Sequence, residues 1–243
     1  MSQKVYVTGD THGSSDIWKL WANSWPEGQK LTKDDFVIIA GDFGLVYYPE
    51  NRNKTILDTL NEQPWTTLFI DGNHENFDRL YSYRETTRFG GPVGVVRPSV
   101  LHLKARGHVY DIGGKRIWCF GGGVSCDRNQ RVEGESWWPQ ELPTEEEMDY
   151  GLEQIAKYDG QFDYILTHDC PSRVLIPCWP YFCSHNSSSK RTPTVVGEYL
   201  DKVAGMVSFK KWVFGHYHTD IKCEFPDTHQ MYRAVFRDIV RLK

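Results

Sequence analysis

Apolar and polar positions along this chain fall into a unit that recurs five times. An apolar run rich in β-branched residues stops in a turn that carries a carboxylate, an amide or an imidazole. The clearest copy is FVIIAGDFG at residues 36–44, which ends in Asp42 between two glycines. KVYVTGDTHG (4–13) and TLFIDGNHE (67–75) end the same way, and FDYILTHD (162–169) and WVFGHYH (212–218) deliver histidines. Uninterrupted apolar runs of this length are the mark of strands buried on both faces, as in parallel sheets. In open α/β sheets, ligand chemistry gathers at the C-terminal strand ends.

Between the first three runs lie helical patterns. Ser14 or Ser15 can cap a helix with Ile17, Leu20 and Trp21 on one face, residues 51–62 turn Ile56 and Leu60 inward, and 76–83 carry Phe77, Leu80 and Tyr81. This alternation predicts a parallel sheet with right-handed crossovers. From about residue 88 the pattern changes. Glycines and prolines punctuate short segments, and strands near 100–104, 107–112 and 115–121 are expected to run antiparallel in a second sheet. Residues 121–131 read as a polar loop, and Thr144 with Glu147 forms a capping-box signature for a helix through about Lys157. The stretch 171–192, dense in Pro, Cys, aromatics and Ser, reads as an irregular surface loop or lid. A further helix is expected at 194–206, and closing strands at 220–240. The expected organisation is one α/β domain over 1–243, with a specificity insertion at about 84–160 and the lid-like loop at about 171–192.

Composition narrows this picture. The 243 residues can bury a sizeable core. A formal charge of −4 argues against coating a long nucleic-acid duplex, yet two bound divalent cations would cancel it and admit a small anionic substrate. Six cysteines without a CxxC pair, and no signal-like segment after Met1, read as reduced thiols of a cytoplasmic protein. No stretch approaches the ~18 apolar residues of a membrane span.

The strand-end residues are Asp10, His12, Asp42, Asn73, His168, His216 and His218. Mixed carboxylate, amide and imidazole donors suit Mn, Fe, Zn, Co or Ni better than Ca. Seven donors exceed one tetrahedral ion and fit two ions that share a carboxylate, for which Asp42, alone in its turn, is the candidate. An extended backbone would point His216 and His218 to one side, and a tight turn would send them to different ions.

Taken together, GDTHG (9–13), GDFG (41–44), GNHE (72–75), THD (167–169) and GHYH (215–218) resemble the motif set of the calcineurin-like metallophosphoesterase superfamily, in a small bacterial or phage-type form. The resemblance implies a four-layer α/β/β/α sandwich. It also implies one ion held by Asp10, His12 and His218 and another by Asn73, His168 and His216, with Asp42 bridging. Manganese is the first expectation, with Fe, Zn, Ni or Co as alternatives. Two ions ~3.5–4 Å apart can activate a bridging water for in-line attack on phosphorus. His74 would then assist the leaving group. Glu75 and Asp169 are expected to support the ligands, and Asp71 to support its own turn.

Phosphoprotein phosphatases of this superfamily carry Asp-Arg-Gly after the second motif's aspartate. Here the chain runs Asp42-Phe43-Gly44, with no arginine. That departure favours a phosphodiester or nucleotide substrate. A phosphomonoesterase or protein phosphatase, a nuclease on short single strands and a metal-bound scaffold stand as alternatives. Arg128 and Arg131 could grip phosphate bidentately, and Trp137 or Trp138 could stack on a base. The other reading makes the tryptophans a packed hinge and the arginines surface ion pairs. The run Gly121–Gly123 could cradle phosphate. His102, His108, His185 and His229 lack motif context.

Overall fold

Strand β1 (Val5–Thr8) pairs in parallel with β2 (Phe36–Ile39), and β2 in parallel with β3 (Thr66–Phe69), in the computed structural model of the chain. The structure describes residues 3–182, 193–225 and 228–243. The first sheet extends past β3 through β6 (Val100–Leu103), β5 (Gly91–Arg97) and β4 (Glu85–Arg88), and its other edge is β13 (Val240–Leu242). The second sheet has six strands, in the order β11 (Ile221–Phe225), β12 (Gln230–Ala234), β10 (Lys211–Phe214), β9 (Tyr164–Thr167), β8 (Lys115–Phe120), β7 (Arg106–Ile112).

Alternation along the strands explains the layering. Val5, Val7 and Ile38 of the first sheet pack on Ile117, Leu166 and Val213 of the second, and form the core between the sheets. Tyr6, Val37 and Ile39 point outward onto Leu57 and Leu60 of helix α1 (Glu50–Glu62). On the far side, Trp118, Ile165 and Trp212 meet Ile155 of α3 (Glu145–Lys157) and Leu200 and Val203 of α5 (Val195–Ala204). Helices therefore cover both outer faces of a two-sheet stack, the four-layer arrangement expected from the motifs. A capping box at Thr144 and Glu147 starts α3, as its sequence signature predicts.

Several local expectations differ from the structure. Residues 100–103 join the first sheet, where β6 pairs in parallel with β3. All four of its residues are buried, as a strand covered on both faces requires. The segment after Ser15 makes only a 3-10 turn, Ile17–Leu20. Helix α2 (Phe77–Ser82) forms as predicted, its Asn76 side chain accepting from the N–H of Arg79. Part of the stretch read as irregular, Ser172–Phe182, is helix α4: Val174, Leu175 and Cys178 fall on one face and enter the core. Its interior Pro177 removes one helical hydrogen bond, which that burial outweighs. Residues 183–192, with His185, lie outside the described residues. Among the described residues no helix is long and apolar enough to cross a membrane.

Candidate metal centre

The parallel strands β1, β2 and β3 of one sheet and β9 and β10 of the other present their C-terminal ends to one place. There the turns are bonded to one another. The N–H groups of Thr11 and His12 donate to the Asp42 carbonyl (3.1 and 2.9 Å), and that of Gly13 to Phe43 (2.9 Å). Glu75 accepts the Phe43 N–H at 2.7 Å, which holds the third turn against the second. The two sheets meet through glycines: a β-carbon on Gly41 would lie 2.0 Å from His168 Nδ1, and one on Gly215 would lie 2.4 Å from Asp10 Oδ1. Four of the candidate ligands, His12, Asp42, His216 and His218, have positive φ (43, 47, 67 and 47°). Non-glycine residues hold that conformation at a cost of order 1–3 kcal/mol, and only where the surroundings over-determine it.

All seven predicted ligands converge. His12 Nε2 lies 3.9 Å from Asp10 Oδ2 and 3.5 Å from Asp42 Oδ2, and His218 Nε2 lies 3.1 Å from Asp10 Oδ2. On the other side of Asp42, His168 Nε2 is 3.5 Å from Oδ1, 3.0 Å from Asn73 Oδ1 and 3.2 Å from His216 Nδ1. Asp42 thus stands between two groups of donors, each oxygen facing one of them. His216 and His218 take different sides, as a tight turn rather than an extended backbone requires.

The surrounding bonds fix which atoms face inward. His168 Nδ1 donates to the Ala40 carbonyl (2.8 Å), and His12 Nδ1 meets Asp16 Oδ2 at 3.1 Å, so Nε2 is the atom of each ring that faces the site. The backbone N–H groups of His74 and His216 hold Asp42 Oδ1 (2.8 Å) and Asp10 Oδ1 (3.0 Å). Among the described residues the buried Oδ2 of Asp10 has no hydrogen-bond partner. An orphaned carboxylate oxygen beside imidazole lone pairs is the donor set a divalent ion satisfies.

The electrostatics agree. Burial opposes ionisation of Asp10 and Asp42, yet the neighbouring histidines hold both below the ordinary carboxylate range. Burial likewise pushes the His12 ring down, but Asp42 and Asp10 outweigh it and raise its pKa to about 9. His168 is raised by the same two carboxylates against its burial. Without a metal this negative field draws protons onto the rings, and a metal ion would displace them. His74 is lowered, first by burial, with Arg131 adding to the fall and Asp42 opposing it.

Residues that support the centre are partly those expected. Besides Glu75, Asp169 accepts from Tyr217 (2.5 Å) and Thr194 (3.1 Å). Asp71 does more than brace its own turn, because it pairs with Arg106 of the second sheet at 2.6 Å and with His102 at 3.4 Å. Sequence reasoning missed Lys19, whose buried ammonium donates to the carbonyls of Gly9 (2.9 Å) and Asp10 (2.7 Å). It also missed Ser125 and Glu141. Buried polar residues of this kind carry no motif, and only their position in the fold reveals them.

The predicted substrate residues separate. Arg131 pairs with Asp127 at 2.7 Å, and its field reaches Asp42 and His74. Arg128 lies 3.7 Å over the Trp137 ring and 3.8 Å from Glu133. Trp138 cannot stack on a base: it is 3% exposed, its Nε1–H donates to Asp78 at 2.8 Å, and it packs on Tyr47. Of the hinge reading, it is the packing that is seen at this tryptophan. Nor do Gly121–Gly123 cradle phosphate, because their N–H groups go to the carbonyls of Ala105, Asp71 and Glu141.

A family model described as calcineurin-like phosphoesterase matches residues 3–220. No curated protein matches the sequence. Among solved structures, the phosphopantetheinyl hydrolase of Mycobacterium tuberculosis aligns over 97% of this chain and 90% of its own, at 14% identity and a TM-score of 0.41.

Proposed function

The chain belongs to the calcineurin-like phosphoesterase family, and from that premise we propose that it hydrolyses a small soluble phosphodiester or nucleotide. As a metallophosphoesterase it is a metal-dependent hydrolase of phosphoester bonds. The observation that supports the site assignment most is the crowding of Asp42 Oδ1, Asn73 Oδ1 and His216 Nδ1 around His168 Nε2. With the His168 Nδ1 proton committed to Ala40, Nε2 can meet these acceptors by carrying a second proton, and a bound divalent ion would take that proton's place.

In the proposed arrangement Asp10, His12 and His218 would hold one ion and Asn73, His168 and His216 the other, with Asp42 shared between them. When bound, the pair supplies Lewis-acid charge and an activated water. Manganese fits the nitrogen and oxygen donors first, and Fe, Zn, Ni or Co also fit. His74 gives its proton to the leaving oxygen. The burial that lowers its pKa makes the protonated ring a strong acid, and an arriving phosphate anion favours protonation. Arg131, whose charge reaches Asp42 and His74, binds the part of the substrate beyond the reacting phosphate. The part of 84–160 that chooses the substrate is then the loop 121–142, because the strands of that stretch belong to the two sheets. The proposed compartment is the cytoplasm, which the five free cysteines among the described residues suit.

A hydrolysis panel of the protein loaded in turn with Mn, Fe, Zn, Ni and Co, against aryl monoesters, aryl diesters, cyclic nucleotides and short oligonucleotides, tests this. Faster turnover of diesters or nucleotides, abolished by chelation, is expected. Preference for monoesters would assign a phosphatase, and no turnover with any of the five metals would refute the enzyme.

A further inference from the structure

Asn73 differs from the other candidate ligands in one respect. A carboxylate presents oxygen whichever way it turns, but a side-chain amide presents oxygen on one side and an NH2 group, which cannot bind a cation, on the other. Something must choose. Asn73 Nδ2 donates to Ser125 Oγ at 3.1 Å, and Ser125 Oγ donates in turn to Glu141 Oε2 at 2.5 Å. The other oxygen of Glu141 accepts the Ser125 backbone N–H at 3.1 Å. Asn73, Ser125 and Glu141 are 5, 4 and 2% exposed, so water does not compete for these bonds.

The chain of donors has one direction. A carboxylate can only accept, so Glu141 claims the single hydroxyl proton of Ser125. What Ser125 then offers to Asn73 is a lone pair. A flipped amide would set its oxygen against that lone pair in a buried place, which is the costly arrangement. We infer that Ser125 and Glu141 are positioning residues that lock the Asn73 amide with its oxygen toward His168 and the second ion. The inference rests on the proposed role of Asn73 as a ligand. The loop is itself built to hold the relay: the Gly123 N–H donates to the Glu141 carbonyl at 3.1 Å, and Arg106 donates to the Gln140 carbonyl at 2.7 Å. Gly123 fits because a β-carbon there would lie 3.4 Å from Asn73 Oδ1 and 3.3 Å from the His168 ring.

Calorimetric titration of the chelator-stripped full chain with Mn²⁺ tests the relay without reference to turnover, and thermal melts check folding. Ser125→Ala should weaken one of the two equivalents by about 10–100-fold, and Ser125→Thr, which keeps the hydroxyl, should restore it. In the Asn73→Asp background both side-chain atoms are oxygen, so orientation no longer matters and Ser125→Ala should change that equivalent little. Equal weakening in the two backgrounds would make Ser125 a packing residue, and no weakening in either would remove its role; each result overturns the inference. Glu141→Gln is a second route to the same pair of outcomes if Ser125→Ala folds poorly. Its amide can donate to Ser125, free the hydroxyl proton and permit the flip. Asn73→Ala with both equivalents at native affinity would instead refute the ligand reading, and the inference with it.

Discussion

The strand-end turns and the loop 121–142 face the same site, but different forces hold them. In the turns each functional residue follows a strand whose neighbours fix it by register, as where Val5 to Thr8 run beside Phe36 to Ile39. Backbone bonds and close-fitting glycines then join turn to turn. The loop has two short 3-10 turns, Arg128–Gln130 and Pro139–Glu141, and its backbone bonds are mostly local, as from Arg131 to Arg128 and from Trp137 to Val132; side-chain pairs add to them, Arg131 on Asp127, Arg128 on Trp137 and Ser125 on Glu141. Machinery placed by the sheet suits chemistry that the family shares, and a surface held by local turns and side-chain pairs can change with the substrate.

The sharpest way to break this comparison is to remove the residue on which the turns converge. Asp42→Ala should lose both tightly bound metal equivalents, by elemental analysis, and turn over no faster than chelator-stripped enzyme. Two equivalents retained would remove Asp42 from its bridging position. Next in size is His74→Ala, expected to keep both metals while turnover falls roughly 10²–10⁴-fold. The fall should shrink for leaving groups as good as p-nitrophenolate, and a uniform fall would mean charge stabilisation instead of proton transfer.

Arg106 joins the two regions, since it pairs with buried Asp71 and also holds the Gln140 carbonyl. Arg106→Met leaves a buried carboxylate uncompensated and should cost about 3–5 kcal/mol in denaturant unfolding. The pH dependence has a definite sign. Burial works against the Asp71 carboxylate, but Arg106 and His102 outweigh it and hold its pKa below the ordinary value. Its contribution is therefore present above the unfolded pKa of about 3.9 and lost as the pH falls below it. Wild-type and Arg106→Met stabilities should converge in acid, and parallel curves would contradict the pairing.

Smaller effects belong to the loop. Arg131→Ala should spare the metals and an aryl phosphoester, and lower kcat/KM for the preferred substrate by roughly 1.5–3 kcal/mol. Trp137→Ala, at about 1–3 kcal/mol on nucleotides only, would show that the Arg128–Trp137 pair opens to a base. If all substrates fell together with the melting temperature, the pair would be packing.

The same contrast explains what could be read from the sequence. Asp10, His12, Asp42, Asn73, His168, His216 and His218 were legible because each ends an apolar run, so one local pattern encodes both strand and chemistry. Which sheet β6 would enter was not, because its four buried residues suit the centre of either. Helix α4 was hidden by its two prolines, since the contacts of Val174 and Cys178 that outweigh them are long-range. Trp137 and Trp138 are neighbours of one type, and only the fold makes one a partner of Arg128 and the other part of the core. Ser125 meets Asn73 across 52 residues and a change of sheet, with Glu141 behind it, which no local pattern records.

The positive φ angles at His12, Asp42, His216 and His218 narrow the options for anyone who would retune this centre toward another metal. Outside glycine, Asn, Asp and His are the residues enriched in that left-handed conformation. They are also hard or borderline donors. Replacing such a ligand by Cys to favour a softer metal, or by Glu to lengthen its reach, changes the backbone preference together with the donor atom. Exchanges among Asp, Asn and His keep the turn. Asp10, Asn73 and His168 are not among the described positive-φ residues, and at these three positions a foreign donor leaves the backbone preference unchanged.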